Sequence, residues 1–420
     1  MQTELAEWIR DTPEGIEANA ILRKCVHCGF CNATCPTYQL LGDELDGPRG
    51  RIYLIKQVLE GVEPTAKTQL HLDRCLTCRA CETTCPSGVG YGRLADIGRG
   101  LVEARVRRSP WANLKRHALA IVLPRSWLFA PLLVLGRLLR PLLPHGISAT
   151  VPEQPAPAGV WPDARHARRM LVLAGCVQPS LAPRINAAAA RVLDRAGISL
   201  IEVPGAGCCG ALRYHLNHQA DGLDDMRALI DAWWPMIETG VEAIVVTASG
   251  CGVTVKEYGH LLAGDPAYAA KAARVSALCR DVSEIVAMEL ERDDFLNLPA
   301  QEIAEKIAFH PPCSLQHGQK IRGVTEGILR SAGVELTPVP DSHLCCGSAG
   351  TYSLLQPELS ETLRTNKLAA LASGGPQRIL SANIGCLSHL AGASQLPVEH
   401  WIEYLDQRSS GTKNITNSTS

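Results

Sequence analysis

Eight of the seventeen cysteines fall in two runs of one pattern. The first is Cys25-Val-His-Cys28-Gly-Phe-Cys31-Asn-Ala-Thr-Cys35-Pro36, and the second is Cys75-Leu-Thr-Cys78-Arg-Ala-Cys81-Glu-Thr-Thr-Cys85-Pro86. Both read C-x2-C-x2-C-x3-C-P, the spacing that binds [4Fe–4S] cubanes. Three cysteines two residues apart let one tight loop hold three corners of a cube. The fourth thiolate must come from elsewhere, and in paired motifs each run lends its last cysteine to the other cluster. The spacing therefore predicts Cys25, Cys28, Cys31 and Cys85 on one cluster and Cys75, Cys78, Cys81 and Cys35 on the second. The proline after each fourth cysteine fixes φ and stops the chain from running straight on as helix. Disulfides would need an oxidising compartment, and zinc sites use paired C-x2-C units rather than runs of four.

A second set of cysteines is hidden in the later half. Cys176 closes the apolar run RMLVLAGC, and Cys313 closes KIAFHPPC. Cys208-Cys209-Gly210 is matched by Cys345-Cys346-Gly347, and Cys251, closing AIVVTASGC, by Cys386, closing RILSANIGC. Three of these pairs are 137 residues apart and the fourth 135, which indicates a duplicated domain. Each copy holds four cysteines that could bind a cluster, zinc or nothing: Cys176, Cys208, Cys209 and Cys251, then Cys313, Cys345, Cys346 and Cys386. Buried cysteines also serve as small hydrophobes, and Cys279, without a counterpart, is assigned that structural role.

The elements that position these residues can be outlined. Glu4 to Ile21 reads as a polar helix leading into the first run. Between the runs, Ile52, Leu54, Ile55, Val58 and Leu59 recur at helical spacing, bounded by Gly50 and Gly61. After Pro86, LADIGRGLVEARVRR continues as a basic helix. In the first copy of the repeat, strands are expected near 170–174, 199–203 and 243–247, with helices near 186–196 and 223–238. This alternation is that of a parallel sheet covered by helices, whose ligand sites lie at the carboxyl ends of the strands. The Cys-Cys-Gly turns are expected to open helices whose amides stabilise thiolates.

Length and composition set limits. A chain of 420 residues suggests about three domains. With 41 basic and 42 acidic side chains it has no charge excess to attract nucleic acid. The polar, acidic N-terminus has no signal-peptide core, and no apolar run reaches the ~20 residues of a membrane span. The stretch from Trp111 to Pro144 is apolar, basic and free of acidic residues, and prolines 124, 131, 141 and 144 are expected to break it into short pieces. Two readings are open for it: an amphipathic segment in a membrane interface, or a helical hairpin packed on a partner or on neighbouring domains. VPEQPAPAGVWPD, from Val151 to Asp163, reads as a linker. SSGTKNITNSTS at the end reads as a disordered tail, and its N-x-[ST] matches at Asn414 and Asn417 carry no meaning without export.

The expected fold class is α plus α/β and multidomain. An all-α two-cluster ferredoxin domain (1–110) comes first, then a basic apolar segment and linker (111–169). Two α/β cysteine-rich domains (170–300 and 301–406) and a tail (407–420) complete the chain.

A ferredoxin module followed by two such repeats resembles the cysteine-rich CCG-domain family, related to heterodisulfide reductase. Within that family the chain closely resembles glycolate oxidase iron–sulfur subunits. The likeness is carried by CVHCGFCNATCPTYQLLGDELDGPRGRIYLIKQVLEG, HLDRCLTCRACETTCPSGV, VVTASGCGVTVKEYGH, PDSHLCCGSAGTY and SANIGC. It covers roughly Ile21 to Tyr404 and is weakest across 111–167. The resemblance implies two [4Fe–4S] clusters on the eight N-terminal cysteines. It also implies an oxidoreductase subunit in a complex that oxidises glycolate to glyoxylate, held at the cytoplasmic face of the inner membrane. No G-x-G-x-x-G follows a strand to cradle a dinucleotide, so FAD and the hydride-transfer site are expected on partner flavoprotein subunits, with no catalytic residue in this chain. Electrons would pass to a quinone or another acceptor. Alternatives are a heterodisulfide-reductase-like catalytic subunit, a scaffold around structural zinc, or the iron–sulfur subunit of a lactate or glycerol-3-phosphate dehydrogenase. Heterodisulfide reductases carry a fifth cysteine in C-x2-C. Here Thr254 and His389 stand at those places, which weakens the disulfide-cleaving reading and leaves His389 as a candidate ligand.

Overall fold

A computed structural model describes residues 1–142, 151–293, 295–296 and 305–409 of the chain. The N-terminal region is all helix, and each long helix begins where a residue suited to a helix start stands. Thr12 accepts a hydrogen bond from the Gly15 amide and is followed by Pro13, which opens the helix Pro13–Lys24. Proline also begins Pro48–Leu59, so Gly50 lies inside that helix rather than at its boundary. The expected single helix over Glu4–Ile21 is two, Glu7–Arg10 and Pro13–Lys24, because Pro13 starts a new helix. The basic helix after the second cysteine run spans Tyr91–Arg105.

The core of this region joins Leu22, Ile55, Leu59, Leu72 and Leu94, all buried, and it includes Cys25, Cys75 and Cys81. The helices Pro48–Leu59 and Tyr91–Arg105 meet closely at Gly98. A Cβ there would lie 2.5 Å from Ile55 Cγ1, so only glycine allows this approach.

Two helices follow, Pro110–Val122 and Ser126–Leu139, bent by 110° at the break around Pro124. Pro131 does not break the second one, as the sequence had suggested. Deep in a helix of 14 residues it forfeits one backbone bond, and the apolar residues on either side keep their helical path. Neither helix is long and apolar enough to cross a membrane alone. The pair is pinned to the rest of the chain by Arg116 on Asp73 (3.0 Å), by Arg213 donating to the Ala120 carbonyl (3.0 Å) and by Arg137 donating to the Ser180 carbonyl (3.4 Å). The segment 151–163 has no regular secondary structure.

The second half forms two four-stranded, wholly parallel sheets. The first contains β1 (Arg168–Val172), β2 (Ile198–Glu202), β3 (Ile244–Val246) and β4 (Cys279–Asp281) in the order β2-β1-β3-β4. The second repeats this with β5 (Lys306–His310), β6 (Glu335–Leu336), β7 (Arg378–Ser381) and β8 (Val398–His400) in the order β6-β5-β7-β8. β1 pairs with β3 at Leu171–Ile244, and β5 with β7 at Ile307–Arg378 through His310–Ser381. Strands β4 and β8 went unnoticed in the sequence because Cys279-Arg280-Asp281 and Val398-Glu399-His400 carry polar and charged residues where an apolar run would mark a strand. Cys279 lies fully buried in β4.

The two copies share one core rather than standing apart. Val172, Leu193 and Val282 of the first pack in one buried group with Phe309, Leu380 and Trp401 of the second. Backbone bonds cross the seam: the Ser249 amide donates to the Ala382 carbonyl (3.2 Å), and the Gly250 amide to Asn383 Oδ1 (3.2 Å). The helix Trp401–Ser409 closes the described chain, and Asp406 on it meets Arg191 and Arg195 at 2.7 and 2.9 Å. The tail from 410, with Asn414 and Asn417, lies outside the described residues.

Candidate metal centres

The two N-terminal cysteine loops share an unusual backbone. His27 and Gly29 in the first adopt positive φ of 61° and 86°, and Thr77 and Arg79 in the second adopt 52° and 60°. Three of these four are not glycine, so the conformation is strained and must be held by what surrounds it. Alternation of right- and left-handed residues turns successive amides into a concave nest suited to an anion or an anionic cluster. A Cβ on Gly29 would also sit 2.4 Å from Arg49 Nη1, so the guanidinium would have to move aside.

The cysteines sort into two cavities. One is lined by Cys25, Cys28, Cys31 and Cys85, with Cys81 at its wall, and the other by Cys35, Cys75, Cys78 and Cys81. Each cavity thus receives the fourth cysteine of the other run, Cys85 in the first and Cys35 in the second. All seventeen cysteines are free thiols. Four convergent thiols without a disulfide, beside amide nests, suit an iron–sulfur cubane in each cavity.

Their surroundings differ. Cys28 is exposed at the mouth of the first cavity, with Phe30 62% exposed beside it. The second cavity is buried and cationic. Arg51, wholly buried, places Nη1 4.0 Å from Cys35 Sγ and donates to the His71 carbonyl (2.7 Å) and Thr37 Oγ1 (3.1 Å). Arg99 donates to the Cys75 carbonyl (2.5 Å) and to Thr77 Oγ1 (2.8 Å), and the Tyr91 hydroxyl lies 3.5 Å from Cys75 Sγ. Burial pushes the Cys78 and Cys81 thiols well up. At Cys75 burial acts the same way, but the Arg51 and Arg99 guanidiniums outweigh it and bring the thiol below its ordinary value. Burial also raises Cys31, to about 11.

The cysteines of the repeat gather at the switch points of the two sheets, where neighbouring strands lead their connections to opposite sides and such sheets bind ligands. Cys176 follows β1, Cys208 and Cys209 follow β2, and Cys251 lies in the first turn of the helix Ser249–Lys256 after β3. In the second copy Cys313 and Cys345 sulfurs are 3.8 Å apart, and Cys386 lies in the helix Ile384–Ala391 after β7. The glycine of each Cys-Cys-Gly has positive φ, 80° at Gly210 and 91° at Gly347, and its amide donates to the first sulfur of its motif at 3.4 and 3.5 Å. In the first copy Gly210 does open a helix, Ala211–His215. In the second the next helix begins only at Tyr352, because Gly350 also takes positive φ and delays it.

The copies differ in electrostatics as well. Hydrogen bonds from Cys176 and Cys209 hold Cys208 well below its ordinary value and push those two neighbours up. Contact with Cys345 and burial raise Cys313; at Cys346 the hydrogen bond with Cys345 pulls downward, but contact with Cys386 and burial outweigh it and raise the thiol.

The second copy is also the one that touches the N-terminal clusters. Cys78 and Cys313 sit in one apolar patch with Leu76, Cys345 and Tyr352. Thr83 Oγ1 and His317 Nδ1, 3.0 Å apart, join the same two regions. Toward the first copy, Arg79 forks onto the Glu257 carboxylate.

His389 is not among the cysteines' partners. Its Nε2 lies 3.2 Å from Ser360 Oγ, which itself donates to the Gly347 carbonyl. The histidine that does reach the cysteines is His310, at the end of β5. Sequence reasoning passed over it, although it stands three residues before Cys313 in FHPPC.

Comparison with known proteins agrees with this architecture. A family model described as "4Fe-4S dicluster domain" matches residues 21–89, and one described as "Cysteine-rich domain" matches 170–256 and 307–391. The chain is 57% identical over 407 residues to the glycolate oxidase iron–sulfur subunit of Escherichia coli (strain K12), covering 97% of this chain and 99% of the relative. It is 30% identical over 400 residues to the probable glycolate oxidase iron–sulfur subunit of Bacillus subtilis (strain 168), with 87% of each chain covered. Lactate utilization protein A of Bacillus licheniformis is 27% identical over 242 residues, 56% of this chain and 97% of that protein. Matched in both its dicluster and its cysteine-rich domains and along nearly all of its length, the chain belongs to the glycolate oxidase iron–sulfur subunit family.

Proposed function

We propose that this chain is the electron-carrying subunit of a flavin-dependent complex that oxidises glycolate to glyoxylate. Flavin, as FAD, and the hydride-transfer site belong to partner flavoprotein subunits. A [4Fe–4S] cluster, when bound, takes up and releases electrons one at a time, which converts the two-electron output of a flavin into single steps. Cys25, Cys28, Cys31 and Cys85 hold one such cluster, and Cys35, Cys75, Cys78 and Cys81 the other. The observation that carries the reading is the exchange of Cys35 and Cys85 between the two cavities, beside two loops of matched left-handed backbone.

The exposed side of the first cavity, with Cys28, Val26 and Phe30, is the face on which a flavoprotein partner would dock. Arg51 and Arg99 place fixed positive charge against Cys35 and Cys75, which favours the reduced, more negative state of what those cysteines hold. This gives electrons a downhill direction from the surface inward. Cys78 then borders Cys313, so the path continues toward the second cysteine-rich copy. Both four-cysteine groups of the repeat are read as further metal sites.

The bent helix pair Pro110–Val122 and Ser126–Leu139 is read as a peripheral membrane contact near a quinone acceptor. Trp127 and Leu138 on it are each 71% exposed, and Leu142 just after it 81%. Vesicle flotation with anionic lipid tests this part. Loss of flotation in a Trp127→Ser, Leu138→Ser variant supports it, and unchanged flotation refutes it.

Anaerobic co-purification with partner subunits, followed by iron, sulfide and flavin quantitation, tests the main reading. Two cubanes on this chain and flavin only on the partners is the expected result. Flavin bound to this chain alone, or iron below one cubane, would sink it.

A further inference from the structure

The duplicated sites share their cysteines but not their surroundings. In the second copy β5 and β7 end on a cross-strand pair, His310 and Ser381. By the 137- and 135-residue offsets, Leu173 and Val246 stand at those places in the first copy, and both are buried aliphatics. A core strand end in a parallel sheet ordinarily carries such residues. A histidine there, 1% exposed, needs a polar reason.

Only one side of its ring has that reason among the protein's own atoms. His310 Nδ1 lies 3.1 Å from Ser381 Oγ, whereas Nε2 is buried with no hydrogen-bond partner among the described residues. An unpartnered ring nitrogen in the core is costly unless something else takes its lone pair. The candidates beside it are sulfurs. A ring nitrogen of His310, Cys346 Sγ and Cys386 Sγ all lie within 4.8 Å of one another, and all three residues are buried. The serine on Nδ1 supplies what a metal-binding histidine usually has, a hydrogen bond at its other nitrogen that fixes the tautomer and aims the ring.

We propose that His310, Cys346 and Cys386 form a mixed nitrogen–sulfur metal site, so that the second cysteine-rich domain binds its metal through His310 Nε2 whereas the first uses thiolates alone. This rests on the reading of the repeat cysteines as metal sites and adds to it the ligand set and the inequivalence of the two copies. The donor set is one that zinc and iron both accept. Cys313 and Cys345 complete a five-donor strip, with Cys313 at the end nearest Cys78. His310 adds a neutral donor to the four cysteines, whereas a fifth thiolate would add a negative charge, and imidazole ligation holds the potential of iron–sulfur centres above that of thiolate ligation. Lys367, buried with Nζ donating to the Asp341 carbonyl at 2.8 Å, adds positive charge near Cys345 and Cys346. Its counterpart by offset in the first copy is Ile230. The two sites thus differ in donor set and in the cation beside them, Lys367 here and Arg213 near Cys208 in the first copy.

The test uses the full chain purified anaerobically, in unlabelled and 15N-histidine forms, with His310→Gln, His310→Cys and Cys386→Ser variants. Metal content, X-ray absorption at the edge of the metal found, and pulsed EPR if that metal is iron are the readouts. Expected are metal beyond the two N-terminal cubanes, a histidine nitrogen in its coordination shell, and loss of that metal in His310→Gln and Cys386→Ser. His310→Cys should keep the metal, lose the nitrogen signal and, for iron, shift the midpoint potential downward. Zinc or iron with that nitrogen both support the proposal. Metal lost in Cys386→Ser but retained with an all-sulfur shell in the unmutated chain overturns the role of His310 and leaves the parent reading standing. No metal beyond the N-terminal cubanes, with Cys386→Ser indifferent, overturns both.

Discussion

Arg79 and Glu257 form a forked ion pair across the boundary between the N-terminal helical region and the first cysteine-rich domain, one arm at 3.0 Å. Arg79 stands between Cys78 and Cys81 and is one of the left-handed residues of its loop. A residue that shapes a cysteine loop is thus also the residue that anchors this loop to the neighbouring domain. Glu257→Gln leaves the guanidinium, 9% exposed, with a neutral partner. The expected cost is about 1–3 kcal/mol, reduced from the fully buried case because Glu257 keeps partial contact with water. A thermal midpoint lower by a few degrees, with the Cys78 loop cleaved faster in limited proteolysis, is the expected result. An unchanged midpoint and cleavage rate would remove the pair from the docking account.

Cys28→Ser and Cys78→Ser should each abolish glycolate-dependent reduction of an added quinone by the assembled complex while leaving co-purification with partner subunits largely intact. Cys78 lies away from the docking face, and Cys28 shares that face with Val26 and Phe30, which the substitution leaves in place. Normal quinone reduction in either variant contradicts the relay.

Arg51→Lys keeps a positive charge but loses the planar fork that spans the His71 carbonyl, Thr37 and the approach to Cys35. The midpoint potential of the centre at Cys35, Cys75, Cys78 and Cys81 should fall by roughly 60 mV, one tenfold factor for a single electron. The centre at Cys25, Cys28, Cys31 and Cys85 should hardly move. An EPR-monitored redox titration reads both, and equal shifts in the two would show that Arg51 does not act locally.

Gly347→Ala and Gly210→Ala test the turn shared by the repeats. A Cβ would lie 2.6 Å from the Ser360 carbonyl oxygen in one and 2.5 Å from the Gly222 carbonyl oxygen in the other, and both positions have positive φ. Backbone oxygens cannot swing aside as a side chain can. Each substitution should destabilise by ~1–3 kcal/mol or more and displace the adjacent cysteine pair. Thermal melting with free-thiol titration checks this, and a variant with unaltered melting and thiol accessibility would refute the steric reading.

Glu403 offers a pH test. Burial first, then the Glu399 carboxylate, raise its pKa to about 7, against the weaker opposing pull of Arg184. The folded state therefore binds this proton more tightly than the unfolded chain, and the associated stability is present at low pH and lost as pH rises toward 7. Glu403→Gln, which cannot ionise, should be more stable than the native chain at pH 8 by on the order of 1–3 kcal/mol, and much less so near pH 4.5, where the carboxyl of the unfolded chain is itself largely protonated. Thermal midpoints at the two pH values decide it, and a difference between the two proteins that does not vary with pH counts against the assignment.

Much of this architecture was legible in linear order. Apolar runs such as MLVLA and AIVVT mark strands because a parallel strand buried on both faces needs an unbroken run. The same rule hid β4 and β8, whose Arg280, Asp281, Glu399 and His400 interrupt any apolar run. Proline was misleading in one place. Pro13 and Pro48 begin helices where a missing amide costs nothing, but Pro131 lies inside one, and a residue type alone cannot tell these positions apart. His389 drew attention because it filled a motif position, yet its helix turns it toward Ser360. His310 drew none, because a histidine before Pro-Pro-Cys resembles ordinary loop chemistry until β5 and β7 are paired.

The sequence by itself determined the ligand types, their spacing and the duplication, since cubane geometry and parallel-strand burial leave their period in the chain. It did not determine which surroundings each cysteine group would receive. Arg51 beside Cys35, Cys78 beside Cys313 and His310 beside Cys346 and Cys386 join residues far apart in the chain. Only packing could bring them together, because charge, burial and an unpaired nitrogen act over a few ångströms of space whatever the distance along the backbone.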